Sequence, residues 1–188
     1  KLLPGARCQG AESIHDIAVA QRRAAEQLLD HISPPADLIA PDRLRVYVTS
    51  LDEQNFGQGG YVDLDPSDPR RVLNVSGQPV LELGPIGDFA DSGANPFTVV
   101  QFQGRRLIYY QGWQRLHRAP FAVFTGLAIE QPDGRFAKHA RVPVLERTSE
   151  EPHIRGAPWA IEEAGRLRLW YVASSRWSPR GEGLHYHV

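Results

Sequence analysis

A chain of 188 residues, 41% hydrophobic and 23% charged, is long enough to bury a substantial core and ordinary enough in composition for a globular domain. Its 21 lysines and arginines are scattered among 22 acids for a formal net charge of −1, so nothing argues for nucleic acid or an anionic membrane as partner. The longest strongly apolar stretch, Phe121 to Ile129, is too short to span a bilayer, and the single cysteine, Cys8, excludes an internal disulfide or a cysteine-built zinc cage. One thiol fits a reducing compartment, and the expected location is the cytoplasm. The chain opens on Lys1 and contains no methionine, so a leader could have preceded it.

The first element in chain order is a helix over Glu12 to Ile32. Ile14, Ile17, Ala18, Ala25, Leu28, Leu29 and Ile32 recur at three- and four-residue spacing, with Arg22, Arg23, Glu26 and Asp30 between them. Pro34-Pro35 stops it, because proline removes a backbone donor and clashes with the preceding turn. The stretch Ser33 to Asp42 then reads as an extended lead-in. Residues 34–188 therefore form one unit and residues 1–33 a helical segment before it, either the tail of an upstream domain or a helix packed on that unit.

From Arg43 the helical period disappears. Runs rich in β-branched and aromatic residues take over at 45–49, 60–64, 97–100, 106–110, 125–129 and 167–172. Turn formers separate them at Asp65 to Pro69, Gln103-Gly104, Pro132-Asp133-Gly134 and Ala164-Gly165. The pattern is all-β, built from hairpins.

The decisive sequence feature is an internal repeat. Pro79-Val80-Leu81-Glu82 recurs 64 positions later as Pro143-Val144-Leu145-Glu146. After each copy come an acidic loop, a small-residue-plus-proline step (Ala94-Asn95-Pro96, then Gly156-Ala157-Pro158) and a strand. A glycine-arginine turn comes next (Gly104-Arg105, then Gly165-Arg166), and after it an aromatic strand at an offset of 61. A repeat of about four strands is what a propeller blade with long loops looks like, and it is longer than the roughly 40–45 residues of WD-type blades. Two blades are readable, with part of a preceding one and an unfinished last, too few to close a ring.

These residues resemble a known group. Arg45 to Asp52, Gly60 to Asp65, Pro79 to Glu82, Asp91 to Pro96, Tyr109 to Trp113, Gly126 to Ile129, Asp133 to Phe136 and Leu169 to Val172 are together similar to the five-bladed β-propeller superfamily of arabinanases, levansucrases and invertases, in particular its uncharacterised bacterial glycosidase-like branch. The resemblance covers about four-fifths of the chain. It implies a partial, truncated five-bladed β-propeller with four-stranded antiparallel blades, preceded by the N-terminal helix. It also implies a glycoside hydrolase-like protein acting on a glycosidic bond through a carboxylate pair in the channel. A non-catalytic glycan-binding module, or an inactive fragment, is the alternative. Leu3-Pro4-Gly5 and the helix after it are faintly similar to the closing strand and helix of formyltransferase-like domains.

Glycoside cleavage needs one carboxyl to protonate the leaving oxygen and another to attack carbon or activate water. The positions matching the family's one acid per blade are Asp91 and Glu151, with Asp52 after the first strand as a third. The family position equivalent to Glu151 is usually an aspartate before proline, whereas here it reads Glu151-Pro152. Asp91 as the cap of a tight turn, and Glu151 as part of a solvated acidic loop with Glu150, are the structural alternatives. Trp113, Arg115, Arg176 and Trp177, at strand ends in polar loops, are candidate sugar-binding residues, since flat rings stack on sugar faces and arginine reaches hydroxyls. Tyr109, Trp170 and Tyr171 read as core. His185 and His187 share a strand face but read as ordinary strand histidines. No P-loop, dinucleotide fingerprint or G-x-S-x-G occurs, and no cofactor or metal is expected. The expected ligand is carbohydrate, and the oligomeric state is open.

Overall fold

The computed structural model describes residues 35–178 and 184–188. The helix expected over Glu12 to Ile32 lies outside them. The described residues are all-β: eleven strands form one sheet that does not close on itself. They are β1 (Ala36–Ala40), β2 (Arg43–Leu51), β3 (Gly57–Asp65), β4 (Asp68–Val75), β5 (Gly93–Phe102), β6 (Arg105–Arg115), β7 (Phe121–Glu130), β8 (Phe136–Lys138), β9 (Ile154–Glu163), β10 (Arg166–Trp177) and β11 (Leu184–His187).

Every pairing between chain neighbours is antiparallel, and each hairpin follows from its turn. Gln103-Gly104 and Ala164-Gly165 both place two consecutive residues at positive φ (49° and 74°, 51° and 77°). That is the two-residue turn whose twist matches the flanking strands. It folds β5 onto β6 and β9 onto β10. The strands fall into the groups β1–β4, β5–β8 and β9–β11. Two short parallel joins link the groups, Gly57 and Gln58 of β3 against Gly93 and Ala94 of β5, and Val123 and Phe124 of β7 against Ile154 and Arg155 of β9. This order is consistent with a propeller-like fold.

Two elements differ from expectation. The lead-in before Asp42 holds a strand, β1, which pairs with β2 from Ala36 opposite Val46. The expected turn Asp65 to Pro69 is shorter: Asp65 Oδ1 accepts from the Ser67 N–H (2.9 Å) and Oγ–H (2.6 Å), and β4 begins at Asp68. Pro69 is tolerated there because β4 is an outer strand that pairs only with β3, and irregularly.

The groups pack face against face. Tyr47 of β2 meets Ala94, Ile108, Tyr110 and Ala128 of the second group. The opposite face of that group, Val100, Leu107 and Tyr109, meets Ala160, Leu167 and Leu169 of the third. Leu81, from the Pro79–Glu82 motif, is 2% exposed and joins the first of these cores, and the Val80 N–H donates to the Gly59 carbonyl at 2.7 Å. The Val144 N–H, in the second copy of the motif, likewise donates to the Thr125 carbonyl at 2.8 Å.

The position held by Tyr47, Tyr109 and Trp170, near the middle of β2, β6 and β10, grows steadily barer, at 2%, 9% and 39% exposure. Trp170 pairs with Trp159, also exposed, across the bare face of the third group. The expectation that Trp170 is core is therefore corrected: no sheet among the described residues lies against its side.

Candidate functional site

The registers bring every sequence-predicted site residue to one end of the sheet. Asp52 follows β2 and precedes the turn into β3, Asp91 and Glu151 shortly precede β5 and β9, and Trp113, Arg115, Arg176 and Trp177 end β6 and β10. The parallel joins lie at this same end.

Asp52 closes its own loop. Its Oδ1 accepts from the backbone N–H of Gln54 (2.9 Å) and of Phe56 (2.8 Å), which holds Asn55 at a φ of 60°. Arg115 crosses to that loop from β6: its Nη1 donates to the Gln54 carbonyl at 2.8 Å, and its guanidinium sits 4.4 Å from the centre of the Phe56 ring.

The backbone N–H of Arg115 reaches back to Ser92 Oγ at 3.2 Å, and Ser92 Oγ–H donates to Asp91 Oδ1 at 2.8 Å. Asp91 Oδ2 accepts from the Gly87 N–H at 2.9 Å. The two oxygens of Asp91 thus clamp the loop that leads into β5, as an Asx cap does. No cation contacts Asp91 among the described residues.

Trp113 pairs with Gly93 and packs its Cβ and ring on that glycine, where an added Cβ would come within 3.1 Å of the ring. Trp177 meets Phe121 edge-on at 5.5 Å between ring centres. Arg176 is exposed on the bulge that Ser174 Oγ spans.

Glu151 is more tightly held than its acidic loop suggested. Arg155 Nε lies 2.7 Å from its Oε2, Tyr171 Oη–H donates to the same oxygen at 3.0 Å, and His187 Nε2 is 3.5 Å from Oε1. Arg155 also bonds Tyr171 Oη (2.6 Å) and the Glu146 carbonyl (2.7 Å). Glu151 is thereby tied to β9, β10 and β11 and is only 19% exposed. Sequence reasoning missed Arg155, because a spacing of four marks an ion pair on a helix and not in the loop and strand that hold these two residues. It also missed Ser92 and Phe56, whose types carry no comparable signal. Among the described residues no group of three histidine, cysteine, aspartate or glutamate side chains could hold a metal ion.

No family model matches the chain. Two curated relatives, the uncharacterized proteins MT1551 and Rv1502 from two strains of Mycobacterium tuberculosis, are each 30% identical over 150 residues. The match takes in 80% of this chain and 49% of the relative, so the chain spans about half the length of the curated relatives it matches. Among solved structures, a sucrose-6-phosphate hydrolase from Lactobacillus gasseri superposes with a TM-score of 0.55 at 10% identity, covering 96% of this chain and 38% of that one. A glycoside hydrolase gives 0.54 at 11% identity over 73% of this chain and 43% of that one. A putative glycoside hydrolase from Parabacteroides distasonis gives 0.52 at 13% identity over 77% of this chain and 44% of that one. At such identities the likeness shows the fold. The chain has a glycosidase-like fold, consistent with the propeller glycosidase-like superfamily that its motifs resemble.

Proposed function

We propose that this chain is part of a glycosidase-like propeller in which β1–β4, β5–β8 and β9–β11 are successive blades, and that it acts on a glycosidic bond at the end of the sheet where Asp52, Asp91 and Glu151 gather. The observation that carries the reading is the fold shared with glycoside hydrolases together with the collection of these acids, Trp113, Arg115 and Trp177 at one end. The bare face of Trp159 and Trp170 supports the blade assignment. Thr98, Val100, Leu107 and Tyr109 stand 61 positions before Trp159, Ile161, Arg168 and Trp170, and that earlier set is covered by the next group of strands. A further sheet in the longer protein would cover the later set in the same way.

Of the three acids Asp91 is the first choice for the chemistry. It is half-buried just before β5, carries no ion pair among the described residues, and is backed by Ser92, whose Oγ accepts from the Arg115 N–H. Its partner would be a carboxyl about 5–10 Å away across the sugar. A second reading, a propeller that binds glycan without cleaving it, is favoured by one observation: both oxygens of Asp91, and Glu151 as well, already serve the loops and strands around them.

A panel of chromogenic glycosides, with Asp91→Asn and Glu151→Gln alongside, separates the two. Turnover that Asp91→Asn abolishes is expected for the hydrolase. Equal turnover by both proteins removes Asp91 from the mechanism, and saccharide binding with no turnover selects the binding module.

A further inference from the structure

A depression of about 570 Å³ lies between the Gly87–Phe89 turn and the stretch from Arg141 to Arg147 that leads toward β9. Asp88, Gln114, Phe124, Arg141, Glu146 and Arg147 line it. Its polar groups are unequally engaged. Arg141 is spent on Asp88, gripping both carboxylate oxygens (2.7 and 3.2 Å), and this holds the Asp88 carboxyl below the ordinary aspartate range. The Gln114 amide donates to the Gly87 carbonyl at 3.4 Å. Glu146 turns Oε1 to the backbone N–H of Arg147 at 2.8 Å.

Arg147 alone keeps its head group uncommitted. Its guanidinium lies 4.9 Å from the centre of the Phe124 ring, and no carboxylate pairs with it among the described residues. Stacking on a ring uses the face of a guanidinium and leaves its N–H donors free at the edge, in the plane that a carboxylate or phosphate meets with two parallel hydrogen bonds. Phe124 is itself 2% exposed, so the ring under Arg147 is fixed by the core.

We infer that this groove takes an anionic sugar unit, with Arg147 on Phe124 as the fork that meets its carboxylate or phosphate and Gln114 beside it as a partner for hydroxyls. The inference rests on the carbohydrate reading above and adds to it the class of sugar. Gly87, which lines the groove, donates its N–H to Asp91 Oδ2 at 2.9 Å, so the groove adjoins Asp91.

The test is calorimetric titration of the full chain with three probes: a glucuronate-terminated disaccharide, its uronate methyl ester, and the neutral parent disaccharide carrying a 6-phosphate. The acid, the phosphate or both should bind at least tenfold more tightly than the ester, and which of them does identifies the anion. Arg147→Met, which keeps the packing over Phe124, should erase that preference, while Arg147→Lys should keep part of it. Thermal melts establish that each variant is folded. Neither the acid nor the phosphate binding more tightly than the ester, or a preference that survives in a folded Arg147→Met protein, overturns the inference and leaves the carbohydrate reading standing. No binding of any of the three probes, nor of neutral oligosaccharides, overturns both.

Discussion

Asp63 on β3 is fully buried, and its carboxylate receives Arg45 from the neighbouring strand through Nε (2.7 Å) and Nη2 (3.0 Å). The register sets the two residues directly opposite one another, and Arg45 Cζ lies over Tyr61, 3.5 Å from the ring centre. Asn74 adds a longer contact at 3.4 Å. Asp63→Asn keeps the volume and removes the charge, leaving the guanidinium facing a neutral amide. Removing one partner of a buried pair costs about 3–5 kcal/mol. Arg45 retains 18% exposure and its ring contact, so the low end applies, about 3 kcal/mol. For a chain of this size each kcal/mol moves Tm by roughly 2–4 °C, which places the variant about 6–12 °C lower. Arg45→Met, which strands the carboxylate instead, should cost at least as much. The double variant should recover part of the sum, because neither charge is then left buried without its partner. Differential scanning calorimetry of the four proteins closes the cycle. A shift under about 2 °C for Asp63→Asn, or strictly additive single changes, would refute the reasoning that this pair is desolvated and coupled.

Gly126→Ala should destabilise by about 1–3 kcal/mol, since the new Cβ would come within 2.2 Å of the buried Tyr110 ring, and circular-dichroism melts would show it. Ala164→Asn should raise stability by about 0.5–1 kcal/mol, because Asn-Gly suits a turn whose first residue sits at a φ of 51° better than alanine does; an unchanged melting point counts against that turn. Tyr171→Phe should loosen Glu151 and speed amide exchange along β9 near Arg155, while leaving β2 and β3 unchanged. The Asp88–Arg141 tie should persist through neutral pH: a carboxyl held below its ordinary value adds stability above that value and loses it only as pH falls through the folded value, so side-chain NMR should show Asp88 titrating below the ordinary aspartate range.

The strand content was legible because alternation and turn chemistry act locally. Gln103-Gly104 and Ala164-Gly165 mark turns by their glycines, and each folds the strands around it. The acids were legible by position as well, since each precedes or follows a strand end and so falls at the same end of the sheet. The long-range partners in the same loops were not, because contacts far apart in sequence leave no local pattern. Arg115 meets Gln54 across 61 positions and Arg141 meets Asp88 across 53, distances over which no local pattern operates. Asp91 shows the limit most directly: a half-buried aspartate before a strand is compatible with catalysis and with capping, and only the donors on its two oxygens show how it is used.

Trp170 shows why burial was harder to read than strand position. It occupies the place that Tyr47 and Tyr109 hold in the groups before it, and its residue type alone argues core. Yet burial belongs to an interface, and an interface needs two sheets. Tyr47 is covered because β5–β8 lie against it, and Tyr109 because β9 and β10 do. The pairing of Trp159 with Trp170 shows a sequence already apolar on a face that is bare among the described residues. Two exposed tryptophans on one sheet face are costly to leave in water. The residue type is therefore better explained by a surface that meets another sheet than by one that meets solvent. Mutating both to threonine tests this. The 188-residue chain should lose little stability, since neither ring fills a core among the described residues, whereas a longer protein that covers the face should lose several kcal/mol. Equal, small losses in the two would show that the face is ordinary surface.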